Sequence, residues 1–454
     1  MTRQVVADGE GRRLRELTSA LRRRGIGYLV ARTAGYNVAS AAAAGLGGII
    51  VARALGPEMR GEYAAVTSWF GLALMVGGMG QPAALCFHVA HDPGNARGYI
   101  ATSRAMMLVT GSAALVGGIL LAPLLARGQP GLTAAYRIAF AASIVAFVGA
   151  SYTFSLQATN LHWWNMVRVS QPVLSLVSVV VLWRLRMLTL DAALIVLALT
   201  MLLQLGWAYS RCRSAGLVPG HAQAQFVLPL ARYGAAQIAA LTPAALNADL
   251  DQLVLSQAVS AVALGHYAIA VSCSMLPIPF VAAIGNVAFP RLASRQRVDS
   301  MARRMQWLGI LGSACVAAGA LVPLDLVAPW LIPRVFGSGY SGAVPLLWIL
   351  TPAGVFLACN QVTGDMLRGR KQPQAVARAQ ALAAVFTVIL LVALLPVAGV
   401  YGAAIASTVA YGVALCMMLI SLRRLPSDSS SPRHLGRPAG EDSARGSVGI
   451  TPCT

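Results

Sequence analysis

Long runs of apolar residues, nearly free of charge, constrain this chain more than any other feature. Residues 105–126, 140–156 and 375–400 are three of them. A bilayer core about 30 Å thick is crossed by about 20 apolar residues in a helix. Only 11% of the 454 residues are charged, against about 25% in an ordinary soluble protein. A soluble domain of this size is excluded, and the expected fold class is an all-α membrane protein.

The runs predict about twelve spans, at 33–52, 63–85, 105–125, 138–156, 169–183, 192–210, 233–252, 262–289, 306–328, 343–366, 376–396 and 400–422. The first follows an arginine-rich stretch, as a signal peptide does. At about 20 residues it exceeds a signal core of roughly 7–15, so it reads as an uncleaved span. Residues 1–32 form a basic tail, and 426–454 a Ser-, Pro- and Gly-rich tail expected to be disordered.

Charge tests this topology. With the N-terminus inside, 28 of the 35 Lys and Arg residues fall on cytoplasmic segments and 7 outside. That is the positive-inside bias, and it puts both termini in the cytoplasm. The net charge of +20 therefore reflects loops, not nucleic-acid binding. Trp163, Trp164, Trp183, Trp207, Trp307 and Trp330 fall near span ends, where interfacial aromatics gather.

The layout is duplicated. Gly61-Glu62-Tyr63-Ala64 opens the second span, and Gly265-His266-Tyr267-Ala268 opens the eighth, 204 residues later. This divides the chain into an N-lobe over 33–220 and a C-lobe over 221–425, two pseudo-symmetric six-helix bundles around a central cavity. Repeated bundles about a midplane cavity are a transporter design. Helix breakers recur at Gly77 to Pro82 and at Pro277 and Pro279, where they mark a hinge or a lined cavity or else small-residue packing between helices.

Catalytic and cofactor motifs are lacking. Lys371 is the sole lysine and has no Gly-rich strand–helix context, so no nucleotide-binding loop exists. No HExxH and no Gly-x-Ser-x-Gly occurs, and His88 and His91 merely flank a turn at Asp92-Pro93-Gly94. The seven cysteines are widely spaced without a CxxC and read as buried free thiols. The expectation is a non-enzyme with no cofactor and no metal.

What remains is charge inside or at the edge of spans, which is costly in lipid and marks function. Asn247 and Asp251 lie four apart on one helical face, with Asp249 beside them. Asp365 and Arg368 are three apart and positioned to pair. Arg53 ends the first span, with Arg60, Glu58 and Glu62 close enough to form ion pairs, and Arg232 opens the seventh. Candidate substrate-binding residues are Arg53, Arg232 and Arg368; candidate coupling or gating residues are Asp249, Asp251 and Asp365. For each, the plainer reading is a helix-end residue that reaches the interface.

Several segments together resemble one family. Val51-Ala52-Arg53-Ala54-Leu55-Gly56-Pro57, with Gly61-Glu62-Tyr63-Ala64 after it, resembles the opening of polysaccharide-biosynthesis (O-antigen-type) flippases. These belong to the multidrug/oligosaccharidyl-lipid/polysaccharide exporter superfamily. Gly80 to Leu85, Asn247 to Gln252, Phe336 to Tyr340 and Gly399 to Ala404 are similar to later family segments in the same order. One departure is Gln252, where many members place arginine after the aspartate.

The resemblance implies two lobes around a V-shaped cavity and alternating access. The substrate it implies is a polyprenyl-pyrophosphate-linked oligosaccharide, moved across the inner membrane for cell-surface polysaccharide assembly. Arginine suits a pyrophosphate. The implied partners are the membrane, the lipid-linked substrate, and polymerase and glycosyltransferases; a functional monomer is implied too. Three alternatives stay open: a cation-coupled multidrug exporter of the same superfamily, a membrane glycan polymerase or ligase, and a structural subunit of an assembly complex.

Overall fold

The computed structural model describes residues 26–218, 220–282, 300–370 and 372–424. Most of the basic tail, residues 283–289 of the eighth span, Lys371 and the tail over 426–454 lie outside the described residues. The described chain is helix after helix. In order these are α1 (Ile26–Gly77), α2 (Gln81–His91), α3 (Ala96–Leu125), α4 (Pro130–Ala141), α5 (Ser143–Thr159), α6 (Leu161–Arg184) and α7 (Leu190–Ser214). They continue with α8 (Ala224–Ala258), α9 (Ala261–Ser274), α10 (Ser300–Phe336), α11 (Ala343–Gly369) and α12 (Pro373–Arg423). Among the described residues, nine helical stretches are long and apolar enough to cross a membrane. Such helices keep every backbone hydrogen bond internal, as hydrocarbon demands.

Two helices are too long for one straight crossing. α1 has 52 residues and α12 has 51. Straight, each would reach about 77 Å at 1.5 Å per residue, more than twice the bilayer core. Each is instead broken at one glycine with a positive φ: Gly56 (φ 74°) and Gly399 (φ 56°). Glycine adopts that region without a Cβ penalty. Pro57 then starts the second arm of α1 from the position where a missing N–H costs nothing. The loop expected over 53–62 is therefore a one-residue hinge, and so is the connection at 397–399. Sequence polarity suggested a loop, whereas a single Gly-Pro step suffices.

The break in the second span is present. α1 ends at Gly77, Met79 and Gly80 take positive φ, and α2 restarts with Pro82 in its first turn. The backbone of Gly80 lies directly on that of Gly234 in α8, so that a Cβ on either glycine would strike a main-chain carbonyl of the other segment. Span eight is also interrupted as expected, with α9 ending at Ser274 ahead of Pro277.

The two Gly-x-Tyr-Ala motifs meet. A Cβ on Gly61 would overlap the carbonyl of Ala261, and one on Gly265 would overlap the carbonyl of Pro57. The contact is reciprocal, backbone against backbone, as small residues permit between membrane helices. Around it, Ala52, Ala64 and Ala65 join one buried cluster with Tyr267, Ile269, Tyr340 and Leu347. Further bonds close the same seam. Tyr340 Oη donates to the Ala52 carbonyl at 2.8 Å, Trp69 Nε1 to Ser256 Oγ at 2.9 Å, and Gln257 Nε2 to the Leu125 carbonyl at 3.1 Å. Among the described residues, every side-chain hydrogen bond between α1–α7 and α9–α12 lies at this Gly56 end.

Several of the tryptophans stack under arginines. Arg211 lies over Trp163 (3.7 Å from the ring centre), Arg168 over Trp164 (4.3 Å) and Arg334 over Trp330 (4.2 Å). The cysteines among the described residues are free. Cys212, Cys273 and Cys359 are buried as expected, but Cys315 and Cys416 are exposed on helix faces, where hydrocarbon suits a thiol equally well.

Candidate functional site

α8 is long enough to cross a membrane but is not among the nine apolar stretches. Arg232, Asn247, Asp249, Asp251 and Gln252 all lie on it. A helix that gives up apolarity inside a membrane is a place to look for function.

Asn247 and Asp251 do share a face, and it is turned inward. Asp251 is 3% exposed and Asn247 2%. The Asp251 carboxylate accepts from Tyr267 Oη on α9, from Ser407 Oγ on α12 at 2.9 Å, and from the backbone N–H of Gln252 at 2.7 Å. One turn away, Asn247 donates from Nδ2 to Gln380 Oε1 at 3.3 Å and accepts from Thr387 Oγ1 at 2.8 Å. Tyr411 Oη donates to the Asn247 carbonyl at 3.4 Å, and Asn360 Nδ2 on α11 donates to the Tyr411 carbonyl at 3.0 Å. α9 and both arms of α12 thus bond to these two residues of α8, and α11 joins through Tyr411.

Among the described residues, the cluster has no counter-charge. Arg368 Nη1 pairs with Asp365 Oδ1 at 2.8 Å, and among the described residues the bonds to Asp251 come from Tyr267, Ser407 and Gln252. A buried carboxylate without a cationic partner is costly even with three donors. The environment around it is built of hydroxyl, amide and carboxylate oxygens.

The other expected site residues do not join this cluster. Asp249 is exposed, two residues from Asp251 on another face of α8. Arg232 is exposed near the start of α8, next to the Gly80–Gly234 contact. The Asp365–Arg368 pair forms as the spacing suggests, at the end of α11 remote from the seam. At 27 residues, α11 separates its two ends by about 40 Å. Arg53 lies at the Gly56 end, where its Nη1 donates to the carbonyls of Arg334 (2.6 Å) and Val335 (3.2 Å). These are last-turn carbonyls of α10, which lack helical partners. The expected pairing of Arg53 and Arg60 with Glu58 and Glu62 does not occur among the described residues. Arg53 is taken up by α10, and Arg60 Nε is buried with no hydrogen-bond partner.

An Arg53→Ala substitution removes both seam bonds. Charge-assisted bonds contribute about 1.5–3 kcal/mol, so the Gly56 end should close less firmly. The expected result is cellular function reduced several-fold at unchanged protein level; undiminished function would show that the seam does not need this latch.

Tyr267, Asn360, Gln380, Thr387, Ser407 and Tyr411 were not singled out from the sequence as site residues. Tyr267 carried a signal, being the tyrosine of the repeated motif. Gln380 and Thr387 are seven apart in an apolar run, two turns on one face, which is a fainter one.

These features define a multi-pass α-helical membrane protein with the architecture of known transporters. Lipid II flippase MurJ in an inward closed conformation superposes with a TM-score of 0.72, at 12% identity over 86% of this chain and 88% of that one. A multidrug resistance MATE family transporter of the MOP superfamily, in an inward-facing conformation, gives 0.70 at 15% identity over 86% of this chain and 96% of the other. At the sequence level, the polysaccharide biosynthesis protein family matches residues 30–296, more than half of the chain, and the chain belongs to that family. The teichuronic acid biosynthesis protein TuaB of Bacillus subtilis (strain 168) is 29% identical over 140 residues. That match spans 30% of this chain and 28% of TuaB.

Proposed function

We propose that this protein is a flippase that moves a polyprenyl-pyrophosphate-linked oligosaccharide across the inner membrane by alternating access, for cell-surface polysaccharide assembly. The observation that carries the reading is the seam. Outside α8, which packs on both halves, the bonds and backbone contacts between the two halves lie at the Gly56 end, in a chain that belongs to a polysaccharide biosynthesis family. The 28-to-7 distribution of basic residues supports placing that end outside and both termini in the cytoplasm. The described conformation is then closed outward, in keeping with the inward conformations of both structural neighbours.

Counting each arm of α1 and α12 as one pass and including α8 gives twelve passes. The N-lobe is 33–220 and the C-lobe 221–425, with α8 reaching into both. Its first turns pack on the N-lobe, Phe226 on Tyr99 (ring centroids 4.2 Å apart) and Tyr233 on Phe87 (4.6 Å), while Asn247 and Asp251 bond into the C-lobe. Asp251 is the coupling group, alternating between the charged form and one neutralised by a proton or a small cation. Arg232 and Arg368, at the cytoplasmic mouth, receive the pyrophosphate, and Arg53 gates the far side; Asp365 holds Arg368 in place, and Asp249 lies beside the coupling group on α8. No covalent step is assigned to the chain. It works as a monomer beside the glycosyltransferases and polymerase of its pathway.

A drug exporter coupled through the first half is less favoured. Among the described residues, no carboxylate of α1–α7 is buried. Asp92 serves Asn95 in a turn (2.8 Å), and Asp191 sits in the first turn of α7.

Deleting the gene and assaying the surface tests the reading. Loss of one surface polysaccharide, with its lipid-linked precursor accumulating on the cytoplasmic leaflet, is expected. Unchanged surface glycan with new sensitivity to cationic drugs would replace it with the exporter.

A further inference from the structure

A slot of about 370 Å³ opens between the first arm of α1, α9 and α10, and so is framed by both halves of the protein. Its walls are apolar, among them Ile49, Ile269, Leu276, Leu324 and Phe336. Two glycines of α1, Gly45 and Gly48, also line it. They are three apart and share a face. Glycines on a membrane helix usually let a neighbouring backbone approach. Here a Cβ on either would meet nothing within 4 Å, so these two leave room rather than pack.

One charged side chain lines the slot, Arg60. Its Nε is buried without an acceptor, and among the described residues no carboxylate pairs with it. Its guanidinium lies 5.5 Å from the centre of the Tyr63 ring, which supplies no hydrogen-bond acceptor in its place. A buried guanidinium N–H without an acceptor is expensive. An apolar channel with an unsatisfied guanidinium asks for a molecule with a long hydrocarbon chain and an anionic oxygen at its head. Arginine's planar fork matches phosphate in particular.

We propose that this slot holds the polyisoprenoid chain of the lipid carrier, with the carrier's phosphate on Arg60, at the seam between the lobes. The proposal rests on the flippase reading for its choice of lipid. It adds a site separate from the Asp251 cluster and from Arg232 and Arg368. Because both lobes frame the slot, their separation would widen it sideways into the bilayer. The chain would then leave by the same seam that closes behind the next substrate.

The test uses the full chain, purified in mild detergent, with bound lipid read by native mass spectrometry. The probes are polyprenyl phosphate and phosphatidylglycerol. Wild type should retain polyprenyl phosphate. Arg60→Gln, which removes the charge, and Gly48→Leu, which fills the slot without meeting protein atoms at its Cβ, should each reduce retention about ten-fold. Arg60→Lys should restore most of it. Gly45→Leu serves as a second filler should Gly48→Leu fold poorly.

Phosphatidylglycerol should bind more weakly and equally in all variants. Equal retention of polyprenyl phosphate by wild type and both kinds of variant overturns the proposal. Phosphatidylglycerol loss in parallel also overturns it, by making the slot a general phospholipid groove. Restoration of surface polysaccharide by wild type in a deletion strain tests the flippase reading by itself. Export intact in a strain whose protein shows no slot-dependent binding would sink the slot and leave the flippase standing.

Discussion

Leucine in place of Gly265 is expected to abolish transport at normal protein level. The first side-chain atom would overlap the main-chain carbonyl of Pro57. No rotamer removes that overlap, because the offending atom is Cβ and its neighbour is backbone. α9 has to move away from α1, and the seam cannot close. Overpacking of this kind costs about 1–3 kcal/mol. The upper value shifts a two-state equilibrium roughly a hundred-fold.

Gly61→Leu should behave the same way, since its Cβ would overlap the Ala261 carbonyl. Gly312→Leu is the control, because a Cβ there meets nothing within 4 Å. The measurement is surface polysaccharide against membrane protein level. Normal export by Gly265→Leu would remove the seam from the transport cycle.

The second large effect concerns Asp251. Asp251→Asn keeps the size of the side chain and removes its charge. One amide oxygen can still accept from Tyr267 and Ser407, but the amide NH₂ cannot accept the Gln252 N–H. The mismatch costs about 1–3 kcal/mol, so the protein should still fold. Export should fall at least ten-fold, because a group that is permanently neutral cannot alternate. Asp251→Ala should do worse, since it strips the acceptor from two buried hydroxyls as well. Tyr267→Phe removes one donor only and should have a milder effect. Full export by correctly inserted Asp251→Asn protein would show that the carboxylate is structural.

The sequence carried the fold where its signal is an average over many residues. Apolar length, basic-residue asymmetry and the placement of tryptophan each integrate over a span or a loop, and the helices and their Trp–Arg stacks follow. It failed where one residue decides. The polar stretch 53–62 has the composition of a loop, yet Gly56 and Pro57 turn the chain in a single step.

The candidate site was half legible. Asn247 and Asp251 announce themselves by charge and spacing. Their partners Gln380 and Ser407 are uncharged residues in apolar runs, and contact over 133 and 156 positions leaves no local trace. The Arg53 and Arg60 error has a related cause. Nearby glutamates suggested ion pairs, but a guanidinium takes whatever acceptor the tertiary structure offers: the end of α10 for Arg53, and for Arg60 Nε none among the described residues.

The repeated Gly-x-Tyr-Ala was readable as a duplication, but not as a contact. That contact joins bare backbone to bare backbone, with no side chain able to turn and keep touch as the helices part. Attraction between such surfaces falls away within about an ångström of separation. The contact between the two motifs therefore has no loosened form of its own, and a partly parted seam would rest on the side chains of Arg53, Tyr340, Trp69 and Gln257. Under the flippase reading, a backbone contact that lets go all at once would limit leakage while a bulky headgroup crosses.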